Sequence, residues 1–156
     1  CKLVIRGNGA TGVVGEKLRE LVAKEHLISK VCFLEGVDKD EVVNSLNGAD
    51  VGLCTLSNMC LSFRNSLNNK NFEYMFAGIP QVMADYPEMA KFNSKHKIGL
   101  VFDPTCPRSF AKAIKYLQEN PDQLERFRNN SVKARTRREF IKSADNVAKL
   151  VARMVR

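Results

Sequence analysis

Three glycines, Gly7, Gly9 and Gly12, satisfy the spacing G-x-G-x-x-G directly after an apolar run and ahead of a helix-length segment. Glycines so placed let the backbone approach a phosphate, and the helix start beyond them offers unpaired N–H groups to an anion. Glu35, at the end of the next apolar run, stands about where a ribose-gripping acid belongs in a dinucleotide site. The same glycines serve equally well in a plain tight turn. A second group lies in Asn65-Ser66-Leu67-Asn68-Asn69-Lys70-Asn71-Phe72-Glu73. Its Asn and Ser side chains suit the start of a helix. Lys70 offers positive charge to a phosphate, and Glu73 offers a carboxylate to sugar hydroxyls from near the helix start. The plain alternative is a well-capped helix with two solvent-facing charges. Five cysteines form no C-x-x-C pair and are joined only by His26 and His96, so no metal site is expected.

These residues need elements to hold them. Short runs rich in branched side chains predict parallel strands at Lys2 to Arg6, Lys30 to Leu34, Asp50 to Cys54, Gln81 to Ala84 and Gly99 to Phe102, buried on both faces. Cys32 and Cys54 fall inside such runs and are expected in the core. Helical spacing appears between them: Gly15 to Lys24 with Leu18, Leu21 and Val22, Asp40 to Leu46, and Leu67 to Ala77 with Phe72, Met75 and Phe76. Three closing helices are predicted near Pro107 to Gln118, Pro121 to Arg137 and Ser143 to Val155. Alternating strands and helices imply an α/β domain with a doubly wound parallel sheet, finished by C-terminal helices. In such a sheet ligands bind beyond the carboxyl ends of the strands, which is where both polar groups fall.

The chain has 156 residues, 44% hydrophobic and 27% charged. That is enough for one ordinary domain with its own core, and we read residues 1–156 as a single domain. No apolar run reaches the roughly 18 residues of a membrane span. The net charge of +8 is local: up to Glu125 fifteen basic residues balance fifteen acidic ones, and from Arg126 onward ten basic residues face only Glu139 and Asp145. A basic end of this kind suits an acidic surface or an anionic membrane. Only Phe127 and Phe140 interleave it, so nucleic acid is not an expected partner. An odd cysteine count without repeated spacing suits reduced thiols and a cytoplasmic setting.

The run Asn69-Lys70-Asn71-Phe72-Glu73-Tyr74-Met75-Phe76-Ala77-Gly78-Ile79-Pro80-Gln81-Val82 resembles the N-K-x-F-E-Y-M-x-A-G-x-P-V-V segment of family 4 type (group 1) glycosyltransferases. The flanks are similar in order and spacing. They are Leu3-Val4-Ile5-Arg6-Gly7-Asn8-Gly9, Val31-Cys32-Phe33-Leu34-Glu35-Gly36, Ala49-Asp50-Val51-Gly52-Leu53 and Gly99-Leu100-Val101-Phe102-Asp103-Pro104.

The resemblance implies the C-terminal, donor-binding domain of a two-domain GT-B enzyme. It implies a nucleoside diphosphate sugar as donor, a hexosyl transfer to an acceptor hydroxyl, and no cofactor. The acceptor it suggests is a glycan or lipid-linked glycan. The carboxylate matching Glu73 would grip the donor ribose. Asn65 stands where the family carries a glutamate on the donor sugar, so an amide would replace a charged acceptor there. Gly7 and Gly9 would line the donor, Val37 would meet the base edge, and Asn69 and Lys70 would face the diphosphate. No catalytic residue is expected in this chain, because the family's acceptor domain supplies it. A first strand and helix with a diphosphate-neutralising Arg and Lys would precede Lys2, so the chain is expected to be a piece of a longer protein. Without that central strand, the five strands would take the order 2-1-3-4-5. Two other functions stay open at this point. One is an NAD(P)-binding Rossmann domain of an oxidoreductase. The other is a non-enzymatic basic module for nucleic acid or anionic lipid.

Overall fold

A computed structural model of the chain describes residues 1–7, 12–56, 60–135 and 152–153. The chain divides into two compact units, Cys1–Ser45 and Leu46–Arg156.

In the first unit, strands β1 (Leu3–Arg6) and β2 (Val31–Leu34) pair in parallel, with Leu3 opposite Val31 and Arg6 opposite Leu34. Helix α1 (Val13–Lys24) connects them, starting after Gly12. It ends where His26 takes a left-handed φ of 55° and the amide of Leu27 donates back to the Val22 carbonyl at 2.8 Å. A one-turn 3₁₀ segment, Lys39–Glu41, and α2 (Val42–Ser45) follow in place of one continuous helix over Asp40 to Leu46. The strands are parallel, as their composition predicts, but they are not buried on both faces. Leu3 and Val4 are exposed, and so is Cys32, which was expected in the core. Two strands and one helix cannot cover both faces of a sheet. Among the described residues of this unit only Gly15 is buried.

The second unit holds the core. Strands β3 (Gly52–Cys54), β4 (Gln81–Ala84) and β5 (Gly99–Phe102) form a parallel sheet in that order, with all four residues of the central β4 buried. Helices α3 (Leu61–Arg64), α4 (Asn69–Phe76), α5 (Pro87–His96), α6 (Pro107–Glu119) and α7 (Pro121–Arg135) complete it. Met75, Met83, Met89, Ile98 and Leu117 are buried side chains of this core, and rings meet edge to face at Phe72–Phe92 and Phe102–Phe110. Helix α7 is bonded to the ends of other elements. Ser131 Oγ donates to the Ile79 carbonyl, Arg135 to the Phe76 carbonyl and Asn130 to the Lys97 carbonyl. The closing helix expected at Ser143 to Val155 lies outside the described residues except for Ala152 and Arg153, which are helical.

Of the order 2-1-3-4-5, the pairings 2-1 and 3-4-5 are present, each as a sheet within one unit. Helix α5 was not anticipated. Pro87 is the first residue of a helix that buries Met89, Phe92 and His96.

Close packing at β3 yields a first prediction. A Cβ at Gly52 would run into the ring of Tyr74, whose hydroxyl donates to the Leu53 carbonyl at 3.5 Å. Gly52→Ala must displace that ring, and overpacking of this kind costs about 1–3 kcal/mol. Urea unfolding should show a lower midpoint with an unchanged slope.

Candidate functional site

The start of α4 is built by asparagines. Asn68, the N-cap, accepts from the amide of Asn71 at 3.2 Å, and Asn71 Oδ1 accepts from the amide of Asn68 at 3.2 Å. This reciprocal box satisfies two donors that a helix start otherwise leaves open. The amides of Asn69 and Lys70, first and second in the helix, make no hydrogen bond among the described residues. They are the orphan N–H groups on which an anion can be held.

Below that turn, Asn71 is fully buried, as is Gln81 of β4. Asn71 Nδ2 donates to Gln81 Oε1 at 3.2 Å and to Cys54 Sγ at 3.3 Å. Gln81 Nε2 donates to the Asn71 carbonyl at 2.8 Å. The network ties the first turn of α4 to the end of β3 and to the central strand. Buried amides with partners on both sides fix a position more sharply than apolar contacts do.

Lys70 is exposed and Glu73 half-buried, one turn of helix apart, and neither side chain has a hydrogen bond or ion pair among the described residues. Burial pushes the Cys54 thiol up to about 12, against a smaller lowering by Lys70 and a raising by Glu73. Burial likewise pushes the Tyr74 hydroxyl up to about 12, reinforced by Cys54 and Glu73. Both charges of the α4 turn are therefore felt at the end of β3. A carboxylate with unused acceptors, a free cation and two open amides on one helical turn can hold hydroxyls and an anion together.

The raised thiol and phenol predict a pH dependence. Both groups lose their protons at lower pH in the unfolded chain than in the folded one. Their contribution to stability is therefore complete below pH 9, falls above it, and is lost as pH rises to about 12. Cys54→Ala should flatten the fall that begins near pH 9. At pH 8 iodoacetamide should modify exposed Cys32 and Cys60 and leave Cys54 untouched in the folded chain.

The residues singled out in the sequence fall into both units. Gly7, in the first, follows β1 with φ 146°, a value open to glycine and strained for other residues. Gly9 lies outside the described residues. Val37 is exposed in the segment after β2. In the second unit, Asn69, Lys70 and Glu73 share the α4 turn, and Asn65 is the exposed C-cap of α3.

Sequence reasoning missed Asn71, Gln81 and Cys54 as a unit. The clue was Asn71 on the apolar face of its own helix, four residues before Met75. It also passed over Asp38-Lys39-Asp40, two carboxylates at D-x-D spacing, which the fold places at an exposed 3₁₀ turn. Among the described residues no three potential metal ligands cluster.

The comparisons with known proteins bear on the family and the fold. Residues 1–134 match the family described as glycosyl transferases group 1. No curated protein matches by sequence alone. Among solved structures, HepE from Anabaena, determined in complex with UDP, is similar at a TM-score of 0.76 and 15% identity, over 97% of this chain and 40% of that one. Sucrose-phosphate synthase from Thermosynechococcus elongatus is similar at a TM-score of 0.71 and 18% identity, over 96% of this chain and 38% of that one. The chain thus spans about two-fifths of the length of these structures, and the likeness establishes its α/β, Rossmann-like GT-B fold. A family match over most of its length makes this chain a member of the group 1 glycosyl transferases.

Proposed function

We propose that the chain is the donor-binding part of an enzyme that moves a hexosyl group from a nucleoside diphosphate sugar to an acceptor hydroxyl. The observation that carries this reading is the α4 turn, where Glu73, Lys70 and two open amides stand together on a helix fixed from below. Family membership and the UDP bound to the HepE structure support it.

In the transfer, the bond from the sugar's anomeric carbon to the diphosphate oxygen breaks while the acceptor oxygen bonds to that carbon. The diphosphate keeps the electron pair, and the acceptor's proton leaves for a base outside this chain. Negative charge therefore grows on the leaving group, and the chain's task is to position and stabilise it. Lys70 and the Asn69 and Lys70 amides serve that charge, while Glu73 accepts from the ribose hydroxyls. Asn65 takes a sugar hydroxyl through its amide, a weaker grip than a carboxylate gives. No cofactor or metal takes part in this scheme. The acceptor is a glycan or lipid-linked glycan at the cytoplasmic face of a membrane, a setting that fits cysteines held in no disulfide.

The NAD(P) alternative rests on the glycine spacing and the position of Glu35, and the middle glycine lies outside the described residues. A stability screen separates the two. Full-length chain heated with UDP, GDP, ADP or NAD(P) should be stabilised by one nucleoside diphosphate. At a hundredfold excess over Kd the gain is about 2.7 kcal/mol, several degrees for a chain of this size. Stabilisation by NAD(P) instead would overturn the donor reading.

A further inference from the structure

A groove of about 530 Å³ opens in the first unit between α1 and β2. Lys2, Arg19 and Lys30 line it together with apolar Val22, Ile28 and Phe33, and among the described residues no acid contributes to the lining. Glu20 and Glu25, the nearest acids in sequence, lie outside it. Arg19 rests over the Phe33 ring at 4.3 Å, which holds a guanidinium against the apolar floor. The turn at the groove's end is hydrogen-bonded. The amide of Glu25 donates to the Leu21 carbonyl, that of Leu27 to Val22 and that of Lys30 to Leu27. This turn presents Ile28, 71% exposed, and Leu27, 38% exposed, between Lys24 and Lys30.

We propose that this turn and groove form a docking surface for an anionic lipid membrane. An isolated exposed leucine needs no explanation, but two neighbouring apolar side chains on a braced turn, beside an apolar groove lined by Lys2, Arg19 and Lys30, match a layer that is anionic at its surface and apolar beneath. Ile28 and Leu27 enter the interfacial layer, while Lys2 and Lys30 meet lipid phosphates and leave their aliphatic stems along the groove. This surface lies on the loop before β2, whereas the donor residues follow the strands or start α4. The proposal therefore does not depend on the donor reading. It also differs from any contact made by the basic C-terminal segment.

The test is co-sedimentation of the full chain with vesicles of phosphatidylcholine containing 30% phosphatidylglycerol, at low salt. The chain should bind these and not pure phosphatidylcholine, and 0.5 M NaCl should release it. Ile28→Asp should weaken binding at least tenfold with an unchanged melting temperature, since the side chain is exposed. Lys2→Ser with Lys30→Ser should do the same. Neutralising Arg137, Arg138 and Lys142 should leave the Ile28 dependence in place. No binding to anionic vesicles overturns the proposal. So does binding that ignores Ile28, or binding to polyglutamate and not to vesicles, which would assign the groove to an acidic protein partner.

Discussion

Asn71→Ala is expected to lower the stability of the second unit by about 3 kcal/mol. The substitution removes the donor that serves Gln81 Oε1 and Cys54 Sγ, and the acceptor that serves the Asn68 amide. A buried amide oxygen left without a partner costs about 1–3 kcal/mol, and the reciprocal bond from the Asn68 amide is lost as well, while the Asn68 cap on the residue 71 amide stays. For a unit of this size the sum lowers Tm by something on the order of 10 °C. Asn71→Asp separates the two halves. It retains the acceptor of the capping box and loses the donor, setting a buried carboxylate against Gln81 Oε1 and the thiol. If the inward network is what matters, Asp is as damaging as Ala or worse. If the cap alone matters, Asp restores most of the loss. Urea unfolding of the three proteins decides, with Gln81→Leu as a fourth that removes the opposing amide.

Glu73 carries the second large effect, and it should appear in binding and not in folding. The carboxylate is half-buried and has no hydrogen bond or ion pair within the described chain, so its removal breaks nothing the fold relies on. A carboxylate accepting from two ribose hydroxyls makes charge-assisted hydrogen bonds, each about twice as strong as a neutral one. Loss of hydrogen bonds to a charged group, at about 1.5–3 kcal/mol, weakens nucleoside diphosphate binding roughly 10- to 150-fold. Glu73→Gln retains shape and one acceptor and should lie between wild type and Glu73→Ala. Lys70→Ala should act differently: a modest loss that shrinks as salt rises, because an exposed cation on a diphosphate is screened. In the parent enzyme both variants should lower turnover, and neither should shift Tm by more than about 2 °C.

The asparagine-rich helix start and its neighbours were readable because their signals are local. Caps, a first-turn cation and an abrupt Gly78-Ile79-Pro80 exit all sit within sixteen residues, and the strands stand out as short branched runs. What escaped was whatever depended on a distant partner. Asn71 reads as polar and hence outward until Gln81, ten residues on, is folded beneath it. Helix α5 was hidden because its third buried position is His96, so the apolar period seemed to stop at Phe92. The exposure of Cys32 follows from how few layers cover β1 and β2, a property of the sheet and not of the run Val31-Cys32-Phe33-Leu34. The parallel pairings 2-1 and 3-4-5 follow from order alone, but whether two such sheets join does not.

The central claim is that the α4 turn holds the nucleoside diphosphate of a sugar donor. Calorimetric titration of UDP, GDP and ADP into the full chain and into Glu73→Ala tests it most directly. The account predicts one site for one of the three nucleotides, with affinity at least tenfold weaker in the variant and both proteins melting within about 2 °C of each other. Equal affinity in wild type and Glu73→Ala would contradict it, as would binding of NAD(P) in place of any nucleoside diphosphate.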